Sequence, residues 1–316
     1  MALPDRLDGL LFFPVTPFGA AGGVALDAYR QHLKSRLAYR PGAVFACCGT
    51  GEFGSLDLAE YAECVRVAVQ EAAAAAPAPV PVVAGVGYGG ALAARFATMA
   101  AHAGADALLA MPPYLADGGP AGLVEHYRRL ADSCELDLIL YQRDSAVFTP
   151  AAVAELAGHP RIVGFKDGRG DLDLVRRIVG AVRERHGPGA LRYFNGMPTA
   201  EMSAPAYRAA GVPLYSSAAF CFAPEVALAF YRAYRSGDQS TVDLLLDGFY
   251  RPLVELRLLG RGYPVALVKA GVRLDGLDVG PVRPPLVEPP PEHVDRLREI
   301  VAAGRALVAG VSRVAS

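Results

Sequence analysis

At 316 residues, 53% hydrophobic and 20% charged, the chain has material for one large α/β barrel or two ordinary domains, with no compositional sign of disorder. A formal net charge of -1 with no Lys/Arg-rich run removes the general pull toward a phosphate backbone and argues against nucleic acid as a partner. No apolar stretch reaches the roughly 18 residues of a membrane span, the first thirty residues do not read as a leader, and the five cysteines and six histidines fall in no CxxC, HxxxH or HExxH spacing, so a soluble cytoplasmic protein with no membrane contact and no metal is expected.

Taken in chain order, short apolar runs predict strands over 10–15, 43–48, 80–86, 107–111, 137–142, 162–167, 191–196 and 213–218. Each is apolar nearly throughout, which suits strands covered on both faces, as in a parallel sheet. Amphipathic segments at 58–76, 91–104, 123–134 and 172–185 lie between them, and Gly42, Gly104, Pro160, Gly187 and Gly211 punctuate the junctions. This alternation predicts an α/β chain folded as a TIM (β/α)8 barrel over residues 1–236. A doubly wound sheet is the alternative, ranked lower because no glycine-rich dinucleotide fingerprint follows the first strand. Beyond residue 236 the alternation stops. Segments 238–260, 264–274 and 293–308 read as helices and the Pro-rich stretch 281–291 joins the last two, so 237–316 is expected to be a helical extension packed on the barrel.

Reactive residues in such a barrel sit at the C-terminal ends of strands and in the loops that follow. At the end of the sixth predicted strand stands Lys166, after Ile162-Val163-Gly164-Phe165. It is one of three lysines, with Lys34 and Lys269, in a chain whose positive charge is otherwise arginine. A desolvated lysine can lose its proton and attack a carbonyl, which arginine cannot do. An ion pair with Asp167 or Asp171 is the other reading, and pattern alone leaves both open. Tyr141 ends the neighbouring strand, either as a proton-transfer group or as a core aromatic. The turn Gly49-Thr50-Gly51-Glu52 offers backbone N–H groups and a hydroxyl to a carboxylate, and it is not a P-loop, since no Gly-Lys-Ser/Thr follows. Glu52 is read as a cap or a local partner. Arg143 can grip a carboxylate bidentately or pair with Asp144. Asn195 and Ser217 are polar groups at the ends of the seventh and eighth strands.

Together Phe13-Pro14-Val15-Thr16-Pro17-Phe18, Gly49-Thr50-Gly51-Glu52, Pro112-Pro113-Tyr114-Leu115, Tyr141 and Gly164-Phe165-Lys166-Asp167 resemble, in order and spacing, the dihydrodipicolinate synthase / N-acetylneuraminate lyase family of class I aldolases. The resemblance spans about residues 7–300. It implies a Schiff-base lysine at Lys166, a proton-relaying tyrosine at Tyr141, no cofactor, and a homodimer or homotetramer. The synthase branch is not the best match. Gly49 replaces its usual hydroxyl residue, Leu115 its cross-dimer tyrosine and Ala146 its carboxylate-binding arginine. The runs Gly49 to Phe53, Tyr141-Gln142-Arg143-Asp144, Pro198-Thr199-Ala200-Glu201 and Tyr215-Ser216-Ser217-Ala218 are similar instead to the branch that dehydrates and decarboxylates 5-dehydro-4-deoxyglucarate.

That branch implies a small sugar-acid substrate, Gly49 and Thr50 on the carboxylate beside the ketone, and Arg143, Asn195 and Ser217 on the distal hydroxyls and carboxylate. The rival readings are a 2-keto-acid aldolase of the same family that releases pyruvate, and a sugar-acid-binding barrel without catalysis.

Overall fold

In the computed structural model, which describes residues 7–116 and 118–314, eight parallel strands pair in sequence order and the last closes on the first. They are β1 (Leu11–Phe12), β2 (Ala43–Ala46), β3 (Val82–Val86), β4 (Ala107–Ala110), β5 (Asp137–Gln142), β6 (Ile162–Asp167), β7 (Arg192–Asn195) and β8 (Leu214–Ser217). The helices are α1 (Leu26–Leu37), α2 (Leu58–Ala73), α3 (Gly90–His102), α4 (Gly119–Asp132), α5 (Pro150–Leu156), α6 (Leu172–His186), α7 (Ala204–Ala209) and α8 (Pro224–Ser236), then α9 (Gln239–Leu245), α10 (Arg251–Arg257), α11 (Tyr263–Leu274) and α12 (Pro291–Val314). This is the TIM barrel that the alternation predicts. Residues 1–6 and 315–316 of the two expected regions lie outside the described residues.

Strands buried on both faces need two sets of apolar neighbours, and two are present. One set fills the barrel interior, with Leu11, Phe45, Val83, Leu109, Ile139, Phe194 and Leu214 among its members. The other fills the layer between strands and helices. Helix starts follow the expected chemistry. Asp57 caps α2 in a reciprocal box with Glu60, Thr149 caps α5 just before Pro150, and Asp171 caps α6, each accepting a backbone N–H that the first turn leaves unpaired.

Several elements differ in extent from the sequence expectation, and proline accounts for most of it. The paired part of β1 stops before Pro14, β3 begins after Pro81 and β8 after Pro213, because a proline has no N–H for the ladder. The single helix expected over 238–260 is α9, a π turn at Leu246–Tyr250, and α10. Pro252, in the first turn of α10, cannot donate to the preceding turn, and a widened turn there absorbs the missing bond. The last helix is longer than 293–308. It starts at Pro291, in the first-turn position where proline's missing N–H costs nothing.

Helix α8 ends at Ser236, capped by Gly237 at φ 78°. Beyond it, α12 lies close against the π turn, where a Cβ on Gly304 would meet the Phe249 ring at 2.4 Å. Arg36 of α1 donates from Nε to the Cys221 carbonyl at 2.8 Å and pairs with Asp275 at 2.5 Å, which ties the barrel wall to the chain after α11.

One irregularity in the sheet sets up the site. Leu138 pairs with Ile162 but Ile139 pairs with Gly164, so Val163 is an extra residue on β6. Such a bulge re-aims the side chains after it. From Gly164 onward, the even-numbered residues of β6 face the barrel interior.

Candidate active site

Tyr141 and Lys166 are register partners on β5 and β6, and alternation turns both side chains inward. Their neighbours Gln142 and Asp167, also partners, turn outward. Lys166 is 5% exposed. Its Nζ lies 4.3 Å from the centre of the Phe13 ring and 4.4 Å from that of Tyr141. Gly196 leaves room for its stem, since a Cβ there would meet Lys166 Cε at 2.6 Å.

Neither aspartate pairs with the amine. Asp167 accepts from Gln142 Nε2 at 2.8 Å, from the Gly170 N–H at 3.0 Å and from the Tyr207 hydroxyl, while Asp171 caps α6. Among the described residues no carboxylate lies within ion-pair distance of Lys166. Burial therefore pushes its pKa below the ordinary lysine value; Tyr141 and Cys48 oppose the shift and Arg143 adds to it. A lysine held this way is neutral more often than a solvated one. The Cys48 thiol beside it is pushed up to about 12 by burial, with Lys166 opposing, so it stays a thiol and does not compete as a nucleophile.

The Tyr141 hydroxyl donates to the Gly196 carbonyl at 3.2 Å and accepts from Arg143 Nη1 at 3.4 Å. Arg143 also reaches Asp144 at 3.3 Å, the ion pair of its second reading, while its guanidinium stands beside the phenol. In the turn after β2, Gly51 is fixed by a 2.7 Å bond from the Thr16 hydroxyl to its carbonyl. The backbone N–H groups of Gly49 and Thr50 donate to no group among the described residues, and a Cβ at Gly49 would meet nothing within 4 Å. The turn thus presents free donors beside open space. Glu52 points away from it, pairing with the buried Lys269 of α11 at 2.7 Å and accepting from the Arg283 N–H at 2.9 Å.

Lys166, Tyr141, Gly49, Thr50 and Arg143 line one cavity of about 360 Å³ at the mouth of the barrel. Asn195 and Ser217 do not line it. Both are odd-numbered residues on the outward faces of β7 and β8. Asn195 donates to the Ala200 carbonyl at 3.0 Å and to Ser203 Oγ at 2.9 Å, and accepts from the Met197 N–H at 3.0 Å, which leaves it bracing the loop after β7. Ser217 donates to Glu201 at 2.5 Å. Glu201 is fully buried and its pKa is pushed up to about 7 by desolvation, with the Ser217 bond the leading opposing cause. It is Ser216 that faces the cavity, a parity that follows from fixing any one inward residue on that strand.

Sequence reasoning missed the opposite wall. Thr199, Leu253, Arg257, Tyr263 and Pro264 complete the cavity, most of them from α10 and α11. No local signal marks the four helical positions, because helices outside the barrel repeat carry no strand-end rule, while Thr199 lies in the run Pro198 to Glu201 that the resemblance includes. Arg257 Nη1 donates to Thr199 Oγ1 at 2.5 Å.

The model of the dihydrodipicolinate synthetase family matches residues 6–304. Over 95% of its length the chain is 60% identical to the probable 5-dehydro-4-deoxyglucarate dehydratase 1 of Streptomyces coelicolor, of which it covers 94%. It is 59% identical, over the same shares of the two chains, to the protein of that name from Streptomyces avermitilis. Among solved structures, dihydrodipicolinate synthase from Oceanobacillus iheyensis superposes with a TM-score of 0.87 at 22% identity, covering 96% of this chain and 98% of that one; at that identity the likeness bears on the fold.

Proposed function

This chain belongs to the dihydrodipicolinate synthetase family, and from that membership we propose that it dehydrates and decarboxylates 5-dehydro-4-deoxy-D-glucarate to 2,5-dioxopentanoate, carbon dioxide and water. The names of its near relatives support the substrate. The observation that carries the chemistry is Lys166: a buried amine with no carboxylate partner among the described residues, on the barrel interior, beside the phenol of Tyr141.

The amine attacks the C5 ketone and the carbinolamine loses water, with Tyr141 relaying the protons. The iminium is an electron sink that makes a C4 proton acidic. Its loss gives an enamine, which expels the C3 hydroxyl as water and leaves a C3–C4 double bond conjugated to the iminium. The C1–C2 bond then breaks. Its electrons flow along C2, C3, C4 and C5 to nitrogen, and carbon dioxide leaves. Protonation at C3 and C4, ketonisation of the C2 enol and hydrolysis of the imine release the product and restore the amine. One covalent nitrogen serves both cleavages, so the reading calls on no metal or organic cofactor. Gly49 and Thr50 hold the carboxylate beside the ketone through their free N–H groups. Arg143 stands where it can bond substrate oxygens next to Tyr141, while Asn195 and Ser217 act from behind the cavity wall. The five free thiols suit a reducing cytoplasm, and a homodimer or homotetramer is the assembly proposed.

Borohydride added with the substrate tests this reading. A reduced adduct on the peptide that contains Lys166, release of carbon dioxide, and loss of both in Lys166→Ala are expected. Full turnover by Lys166→Ala, or pyruvate as the product, rejects it.

A further inference from the structure

The geometry points to Arg257 and Thr199 as the subsite for the substrate carboxylate farthest from the ketone, the one lost as carbon dioxide. The inference rests on the reaction proposed above and adds to it a group from outside the barrel.

Arg257 ends α10 and lines the cavity. Of its five N–H donors, one is used by Thr199 Oγ1 at 2.5 Å. Among the described residues no carboxylate pairs with it. Its burial pulls its pKa down, and Glu201 only partly compensates. A half-buried guanidinium that lines a cavity and pairs with no carboxylate among the described residues suits an anionic group there. The other arginine on the cavity, Arg143, already has Asp144 and the Tyr141 hydroxyl.

Thr199 supplies an independent sign. It sits at φ 53°, a left-handed conformation that strains a β-branched residue. Glycine would relieve that strain but would lose the hydroxyl that holds Arg257. Asn195 braces the same loop through Met197, Ala200 and Ser203. Strain kept in place by a dedicated brace, at a residue that orients a cation into a cavity, fits a positioning role.

The substrate is a diacid of fixed length. With its near carboxylate on Gly49 and Thr50 and its ketone on Lys166, the other end needs a cation. A guanidinium can take that carboxylate bidentately and limit rotation about C1–C2. The bond that breaks must stand across the conjugated plane for its electrons to enter it, so fixing that rotation brings the reactive conformer nearer. Carbon dioxide is neutral and leaves the arginine without hindrance.

The test uses two six-carbon keto acids, 2-oxoadipate and 2-oxohexanoate, which differ only in the distal carboxylate. Each is titrated by calorimetry and by borohydride trapping into wild type, Arg257→Met, Thr199→Gly and Arg143→Met. Wild type is expected to prefer the diacid. Arg257→Met should weaken 2-oxoadipate by about 10- to 100-fold, the range for a lost hydrogen-bonded charge, and leave 2-oxohexanoate within about twofold of wild type. Thr199→Gly should lose part of the same preference without a fall in thermal midpoint, because it removes strain along with the hydroxyl. Equal weakening of both acids, no change in either, or loss of the preference in Arg143→Met instead would overturn the assignment. Absence of any trapped adduct in wild type counts against the imine at Lys166, and calorimetry still reads the carboxylate preference in that event.

Discussion

Tyr141 and Glu201 show how alternation sorts polar residues within one barrel wall. Tyr141 faces inward, beside the amine, and its hydroxyl is bonded to the Gly196 carbonyl. Replacement by phenylalanine keeps the ring against Lys166 and removes only the hydroxyl. Tyr141→Phe should lower kcat by about 10²- to 10³-fold, while urea denaturation shows a loss of only about 1 kcal/mol for the single hydrogen bond; an unchanged kcat would remove Tyr141 from proton transfer. Glu201 lies behind the cavity, with a pKa pushed up to about 7 by burial. In the unfolded chain a glutamate titrates near about 4.3. Between these values the folded state binds the extra proton, so this residue's contribution is full below the lower value and is lost as pH rises through the upper one. Stability should therefore fall by up to roughly 4 kcal/mol between about pH 4.3 and pH 7 on this account. Glu201→Gln should flatten that slope, which denaturant unfolding at a series of pH values can read.

The helices after the barrel hold the turn from Gly49 to Glu52 from outside. Lys269 of α11 reaches the Pro281 carbonyl at 2.7 Å and Glu52 at 2.7 Å, and both charges are fully buried. Removing one partner of such a pair leaves the other uncompensated, so Lys269→Met should cost about 3–5 kcal/mol in urea denaturation, and adding Glu52→Gln should recover part of it. A double variant as unstable as the sum of the singles would show that the two do not act as a pair. Nothing near Glu52 in sequence announces Lys269, which lies more than two hundred residues away on an element that the repeat does not include. The barrel, by contrast, was legible because each strand is a short apolar run with its own punctuation. Lys166 and Tyr141 were legible because a strand-end rule picks them out. The same rule admitted Asn195 and Ser217, since it carries no parity; Phe194 and Leu214 face inward on those strands, which turns the odd-numbered residues outward. Arg257 was invisible for the reason that hid Lys269. The π turn before α10 traces to Pro252, yet the direction in which α10 then runs is set by packing on α11 and α12.

At the scale of the whole molecule, this chain lines the cavity with barrel loops and with α10 and α11. Just outside the mouth, Tyr114 and Leu115 after β4 are 69% and 86% exposed, and Leu115 is held at φ 57°. Large apolar side chains displayed side by side mark a surface that a second copy can cover. Leu115 does not reach the Lys166 cavity, so covering it changes association and not the walls around the amine. Leu115→Glu should thus shift sedimentation toward monomer, through a charge that the interface would have to bury. The same variant should still yield the borohydride adduct at Lys166 with a rate within about threefold of wild type, as befits a surface substitution remote from the site. If dissociation abolished the adduct, the site would depend on a neighbouring subunit, and the separation of assembly from chemistry argued from these walls would fail.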